Sequence, residues 1–278
     1  MNKNKLTALC HRISKESGLT FNSVMTQYFL ETVLHRLANS KYKGNLIFKG
    51  GFLLSNVLGL QTRSTVDIDF LLTKIQFSEE KIRNIFSEVL TTDSENEIEF
   101  ELQEIQEIIK GEQYGGYRVM IACSLQNIKQ YVPLDIATGD VVTPNPIDYR
   151  YKSSFGREDI MIRAYTIETI VAEKIHTIFN KGFLNSRSKD YYDLYIINHL
   201  RKNLIDKDIL LQACQNTFRY RDKEFNLEKI KRFLQEIRND ENFAKRWQGY
   251  EKKNPYAQGI SFTKAVDSAS MLLELMEE

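Results

Sequence analysis

At 278 residues, 42% apolar, 27% charged and with a formal net charge of +1, the chain has a globular composition, sized for one large or two small domains. No apolar run approaches the roughly 18–20 residues that cross a bilayer, and the N-terminus lacks the apolar core and cleavage site of a secretory signal. Cys10, Cys123 and Cys214 are odd in number and widely spaced, and His11, His35, His176 and His199 show no H-x-x-x-H pairing. A disulfide framework, a zinc cluster and a haem site are therefore not expected, and the chain reads as cytoplasmic with no membrane partner.

The small net charge hides an asymmetry. Residues 76–112 carry eleven Asp/Glu against three Lys/Arg, whereas 150–253 carry twenty-two Lys/Arg against fifteen Asp/Glu. A basic C-terminal half can present a groove to a nucleic-acid backbone, although solvated helix faces give the same count.

In chain order, residues 5–16 and 22–39 read as helices. Val24, Tyr28, Phe29, Val33, Leu34 and Leu37 make the second an amphipathic, core-facing helix. Asn45–Thr73, NLIFKGGFLLSNVLGLQTRSTVDIDFLLT, then reads as strand (Leu46–Phe48), glycine turn, short helix ending near Gly59, and second strand. Asp67 and Asp69, two apart, share a face of that strand. Paired carboxylates at the end of an apolar run repel each other unless a cation lies between them, and Mg²⁺ or Mn²⁺ is the natural one. Lys49-Gly50-Gly51 supplies a turn whose backbone N–H groups can approach a phosphate at a helix start. Taken singly, the glycines are compatible with a plain tight turn and the acids with a solvated edge. Together they point to metal-assisted phosphoryl chemistry.

Ser78 is expected to cap a helix over 79–90. Residues 97–137 read as antiparallel β: Ile98, Phe100 and Leu102 alternate with Glu97, Glu99 and Glu101, a turn lies at 111–116, and strands follow at Tyr117–Ser124 and Val132–Ile136. Asp135 on the last strand is the third carboxylate a two-metal site needs, while Asp140 reads as a loop residue. Val141–Tyr149 reads as an irregular connector, and from about 165 the pattern is helical. Helices are expected at 167–181 with Glu173 and Lys174, over KDYYDLYIINHL, and at about 206–217, 227–238, 240–249 and 261–276, with 219–223 and 251–255 as basic connectors. Asp190 and Asp193 share a face at the N-terminus of their helix, as functional acids or as ordinary N-terminal acids.

Four segments, KGGFLL…RSTVDIDFLL (49–72), PLDIATGDVV (133–142), AEKIHTI (172–178) and RSKDYYDLYII (187–197), resemble the motifs of the AbiEii/AbiGii nucleotidyltransferase toxins, to which the MenT toxins are related. They fall in that family's order and cover roughly residues 20–200. The resemblance implies an α+β fold, with a DNA polymerase β-like nucleotidyltransferase core of mixed sheet and helices over 1–160. A helical C-terminal domain, 161–278, would follow and contribute Lys174 and Asp190. It implies the toxin of a type IV toxin–antitoxin or phage abortive-infection system, a cognate antitoxin, and nucleotide transfer to an RNA, in some members the 3′ end of tRNA. GTP or CTP is the expected substrate. By the same resemblance Asp67, Asp69, Lys174 and Asp190 are catalytic, and Gly50 and Gly51 hold phosphate at a nucleotide site that includes Thr65; on their own chemistry Lys49, Arg63 and Lys189 are further candidate cations there, and Asp193 either joins the nucleotide site or caps its helix. In some relatives the hydroxyl residue two before the first acid, here Thr65, is phosphorylated. The chain departs from nucleotidyltransferases at large in having no serine after the glycine turn, so backbone N–H groups or Ser55 would hold phosphate.

The expected chemistry has Asp67 and Asp69 binding a metal that clamps the triphosphate. Asp135 is to bind a second metal that activates an RNA hydroxyl, and Lys174 to neutralise the leaving phosphates. Asp190 is to orient Lys174 or the sugar. Two other functions fit the same residues: an NTP-binding regulator without transfer activity, and a small-molecule nucleotidyltransferase.

Overall fold

The structure, a computed structural model, describes residues 2–59, 65–91, 98–108, 115–221 and 223–277. Two helices lead: α1 (Lys3–Ser17), capped by Asn2 and closed by Gly18 in the left-handed conformation, and α2 (Phe21–Ala38), capped by Thr20. The amphipathic reading of α2 falls short. Thirteen of its 18 residues are buried, among them Gln27, Glu31 and Thr32, because the helix lies within the fold rather than on its surface. Glu31, fully buried, accepts hydrogen bonds from the Ser153 hydroxyl, Ser154 N–H and Tyr151 hydroxyl. Burial still raises its pKa, against those bonds and the charge of Arg157.

The chain continues through β1 (Leu46–Lys49), α3 (Gly50–Leu58), β2 (Ile68–Leu72), α4 (Glu79–Val89), β3 (Ile98–Glu107), β4 (Gly116–Leu125), β5 (Ile128–Ala137), β6 (Ile147–Tyr151) and β7 (Ile160–Ala164). The seven strands form one mixed sheet in the order β3-β4-β5-β2-β1-β7-β6. β1 runs antiparallel to β2 and parallel to β7, and β2 runs parallel to β5; the outer pairs are antiparallel. The central strands β1 and β2 bury nearly every residue, as strands covered on both faces must. Pro133 is tolerated in β5 because it precedes Leu134–Ala137, the four residues that pair with β2.

β6 overturns the last three residues of the expected irregular connector Val141–Tyr149, and β7 lies in a stretch the sequence reading left unassigned. They are short strands that pair with each other, and β7 also pairs with distant β1, which no local pattern reveals. The acidic face of β3 is present at Glu99 and Glu101, but a register shift between Leu102 and Glu104 ends the alternation. Glu97 and residues 111–114 of the expected turn lie outside the described residues. Ser78 caps α4 as expected, accepting from Lys81 N–H.

Helices α5 (Ile167–Lys181), α6 (Ser188–Arg201), α7 (Lys207–Tyr220), α8 (Leu227–Ile237), α9 (Glu241–Lys253) and α10 (Phe262–Glu274) complete the described chain. α7 and α9 run on through Arg219 and Lys253, so the expected basic connectors are partly helical. The chain divides into two compact units, Met1–Asp140 with Pro146–Tyr165, and Val141–Asn145 with Thr166–Glu278. The division between these units falls after Tyr165. The segment 141–145 joins the second unit because Thr143 bonds Thr166, Thr169 and Asn216. No described helix is long and apolar enough to cross a membrane.

Candidate active site

In the first unit the site starts at the turn from β1 into α3. Gly50 has φ +71°, and a Cβ built there would lie 1.9 Å from Asp69 Oδ2. The absent side chain is therefore the space in which the Asp69 carboxylate stands. The Gly51 N–H, at the start of α3, lies 3.4 Å from the same oxygen, so the helix N-terminus faces the carboxylate. Ser55 cannot supply the missing turn hydroxyl: it is fully buried and donates to Phe52 O within α3.

Strand pairing then lines up charges across the sheet. Lys49 of β1 is opposite Asp69 of β2, Asp69 is beside Asp135 of β5, and Asp135 is opposite Arg118 of β4. Residues paired in this way project to one face. The row reads plus, minus, minus, plus. Asp67, one residue before β2, joins the same face. Its Oδ1 accepts from the Thr65 hydroxyl at 2.9 Å, which engages the hydroxyl flagged for nucleotide binding or phosphorylation. Lys49 Nζ lies 2.6 Å from Asp140 Oδ2, both nearly buried, and 4.7 Å from the centre of the Tyr165 ring. Asp140, read only as a loop residue, is thus part of the face. Arg63 lies outside the described residues.

Asp135 faces a cation of its own across the β4–β5 pairing. Arg118 Nε and Nη2 each lie 2.7 Å from one of its two oxygens, a bidentate pair. Arg118 was not singled out from the sequence. It looked like one polar residue of an ordinary strand, and only the β4–β5 register gives it a role.

The carboxyl donors suit a hard divalent cation at Asp67 and Asp69, which share a face beside a helix N-terminus and keep partial exposure. Asp135 does not fit in this arrangement, because a guanidinium already neutralises it. Consistently, no group of three His, Cys, Asp or Glu among the described residues is arranged to hold a metal ion.

The second unit holds a separate cluster. Asp190 and Asp193, one turn apart on α6, have side chains 3% and 0% exposed. Lys174 of α5 reaches both, 3.3 Å from Asp190 Oδ1 and 2.5 Å from Asp193 Oδ2, and Arg187 Nε lies 2.8 Å from Asp190 Oδ2. Burial works to raise the Asp190 pKa, but Lys174, Arg187 and Lys189 outweigh it and hold the carboxyl below its ordinary value. Of the expected residues here, Lys174, Asp190 and Asp193 come together; Lys189 is exposed and acts on Asp190 only through its charge. The three cysteines are free and buried, and burial pushes Cys10 up to about 11 and Cys123 to about 12, which leaves both unreactive thiols.

The family described as nucleotidyl transferase AbiEii toxin, type IV TA system, matches residues 32–268. Two solved structures resemble the chain at 15% identity each. One is a candidate nucleotidyltransferase from H. pylori, with a TM-score of 0.56, covering 93% of this chain and 96% of that one. The other is JHP933 from Helicobacter pylori, with a TM-score of 0.54 and 92% of each chain covered. At that identity the likeness speaks for the fold. No curated protein matches the chain.

Proposed function

The chain belongs to the AbiEii family of nucleotidyltransferase toxins of type IV toxin–antitoxin systems, and from that premise we propose that it transfers a nucleoside monophosphate from an NTP to the 3′ hydroxyl of an RNA, tRNA first among them. The observation that carries the reading is the face on which Asp67, Asp69 and Asp135 converge from neighbouring strands beside the glycine turn. Membership of the family implies an antitoxin partner; the working compartment proposed is the cytoplasm.

In the proposed reaction the acceptor oxygen bonds to the α-phosphorus as the bond to the pyrophosphate oxygen breaks, and pyrophosphate and a proton leave. Asp67 and Asp69 would hold Mg²⁺ or Mn²⁺, which when bound supplies charge neutralisation to the triphosphate. Thr65 orients Asp67 by its hydroxyl. Gly50 and Gly51 set Asp69 against the start of α3, and Lys49, anchored by Asp140, adds a positive charge beside the acids. Within the second unit, Asp190 and Asp193 orient the ammonium of Lys174, which is proposed to serve nucleotide binding. GTP or CTP is the proposed nucleotide.

One observation favours a second reading, an NTP-binding regulator without transfer: Asp135 is already engaged by Arg118. A single assay separates the two. The protein is incubated with Mg²⁺, total tRNA and each α-labelled NTP, beside Asp69→Asn. Label in the tRNA band that the variant abolishes supports transfer. NTP binding without label for any nucleotide overturns it in favour of the regulator.

A further inference from the structure

We infer that the outer face of α1 is a docking surface for the phosphate backbone of the acceptor RNA, with Lys5, Arg12 and Lys15 as its cations. The inference rests on the reading that the acceptor is an RNA. It adds a surface outside the family's segment, since α1 ends at Ser17 and that segment begins at residue 32. Over Lys3–Ser17 the cations are Lys3, Lys5, Arg12 and Lys15, against Glu16 as the one acid. Helix periodicity sorts them. Leu6, Cys10 and Ile13 form the buried stripe, and Lys5, Arg12 and Lys15 stand on the opposite side, all exposed. Lys5 and Arg12 are about two turns apart and Lys15 lies three residues further on, so the row runs about 15 Å along the helix. Ala8, exposed between the first two, keeps the row clear of bulk.

Among the described residues, none of these three cations makes an ion pair or a side-chain hydrogen bond. Much of the basic excess of the C-terminal half, by contrast, is engaged: Lys174, Arg187, Arg221, Lys231 and Arg238 each pair with an acid. Exposed cations without acid partners bind a nucleic-acid backbone by releasing its counterions, without regard to sequence. A lipid surface is the poorer occupant. A helix lying on a membrane buries its apolar face there, and the apolar face of α1 is already buried in the protein. The place of α1 in the first unit sets what it holds. α1 packs on α2, and Thr26 of α2 accepts from Gln130 of β5. Gln130 is five residues from Asp135 and so projects to the opposite face of the sheet. The α1 surface therefore serves the body of the RNA, and the sheet face its reacting end.

The test measures the Kd of full-length tRNA for the purified chain without nucleotide, by filter binding across a salt series. The triple variant Lys5→Gln, Arg12→Gln, Lys15→Gln is expected to bind about tenfold more weakly. Its slope of log Kd against log salt should be shallower by about 2–3, close to one for each phosphate contact removed. Arg12→Gln alone should lower the slope by about 1, and Arg12→Lys should keep the wild-type slope, because backbone binding asks for charge. This last pair tests the inference even where the triple variant fails to fold. Unchanged affinity and slope in the triple variant would overturn the inference and leave the transfer reading intact. So would a triple variant that keeps tRNA and loses binding to phosphatidylglycerol vesicles, which would make the face a lipid surface. Loss of tRNA affinity in the triple variant, beside a wild type that labels tRNA with no nucleotide, would uphold the surface and overturn transfer. A wild type that binds no tRNA would overturn both.

Discussion

The molecule holds two clusters of acids and bases that look alike as a residue inventory and differ in physics. On α5 and α6, two carboxylates and two cations balance, and the acids are buried almost completely. Among the described residues of the sheet face the acids outnumber the cations, and Asp67 and Asp69 keep partial exposure. A buried, balanced cluster has met the cost of its own desolvation through its internal pairs, and losing one partner leaves a stranded charge. A half-exposed cluster with excess negative charge remains able to take up a cation. The first arrangement holds its own structure together and presents an oriented ammonium; the second is open for business with a ligand.

Substitutions sharpen that difference. The largest effect is expected from Asp69→Asn. Transfer, measured as labelled tRNA, should fall about 10³-fold or below detection, while the thermal midpoint stays near that of wild type. A large loss of stability would erase the contrast between the clusters. Asp193→Ala should do the reverse, removing about 3–5 kcal/mol of stability in urea unfolding by leaving Lys174 half-paired at a buried site. A stable Asp193→Ala protein would show that the second cluster is not held by its internal pairs.

Gly50→Ala comes next. The new Cβ meets the Asp69 carboxylate on a left-handed backbone, so a cost of about 1–3 kcal/mol is expected, together with loss of transfer through displacement of Asp69. Wild-type activity in Gly50→Ala would mean that the carboxylate does not need its present position.

The smallest effect is the acid response. Asp190 is held below its ordinary value, so its contribution to stability is complete above the unfolded value of 3.8 and is lost as pH falls through the lower folded value. Glu31 behaves oppositely: its folded value is raised, so its contribution is complete below 4.5 and is lost as pH rises through the raised value. A ¹³C-carboxyl titration should therefore show Glu31 taking its proton at a higher pH than Asp190. The reverse order would contradict the pairing described for both.

Much of the first cluster could be read from sequence. Asp67 and Asp69 stand out through their two-residue spacing in an apolar run, and Lys49-Gly50-Gly51 through its place between strand and helix. What the glycines do there was not legible. Beside the phosphate cradle expected of them, Gly50 clears room for a carboxylate, a fact about the distance between two segments. Asp140 was passed over as a loop residue because nothing local announces that Lys49 will reach it. Arg118 gave no signal at all. In the second cluster the spacing of Asp190 and Asp193 shows a shared face, whereas their enclosure and their shared partner Lys174 depend on how α5 packs on α6.

Helix and strand periodicity are local, so the sequence by itself determined most elements, the positions of the paired acids and the change from a mixed sheet to helices near residue 165. Only the tertiary structure decided the sheet order, the strands at 147–151 and 160–164, and the partners of Asp135 and Lys49. Cross-strand register depends on where distant segments meet, and a shift of one residue would turn Arg118 away from Asp135 to the opposite face of the sheet.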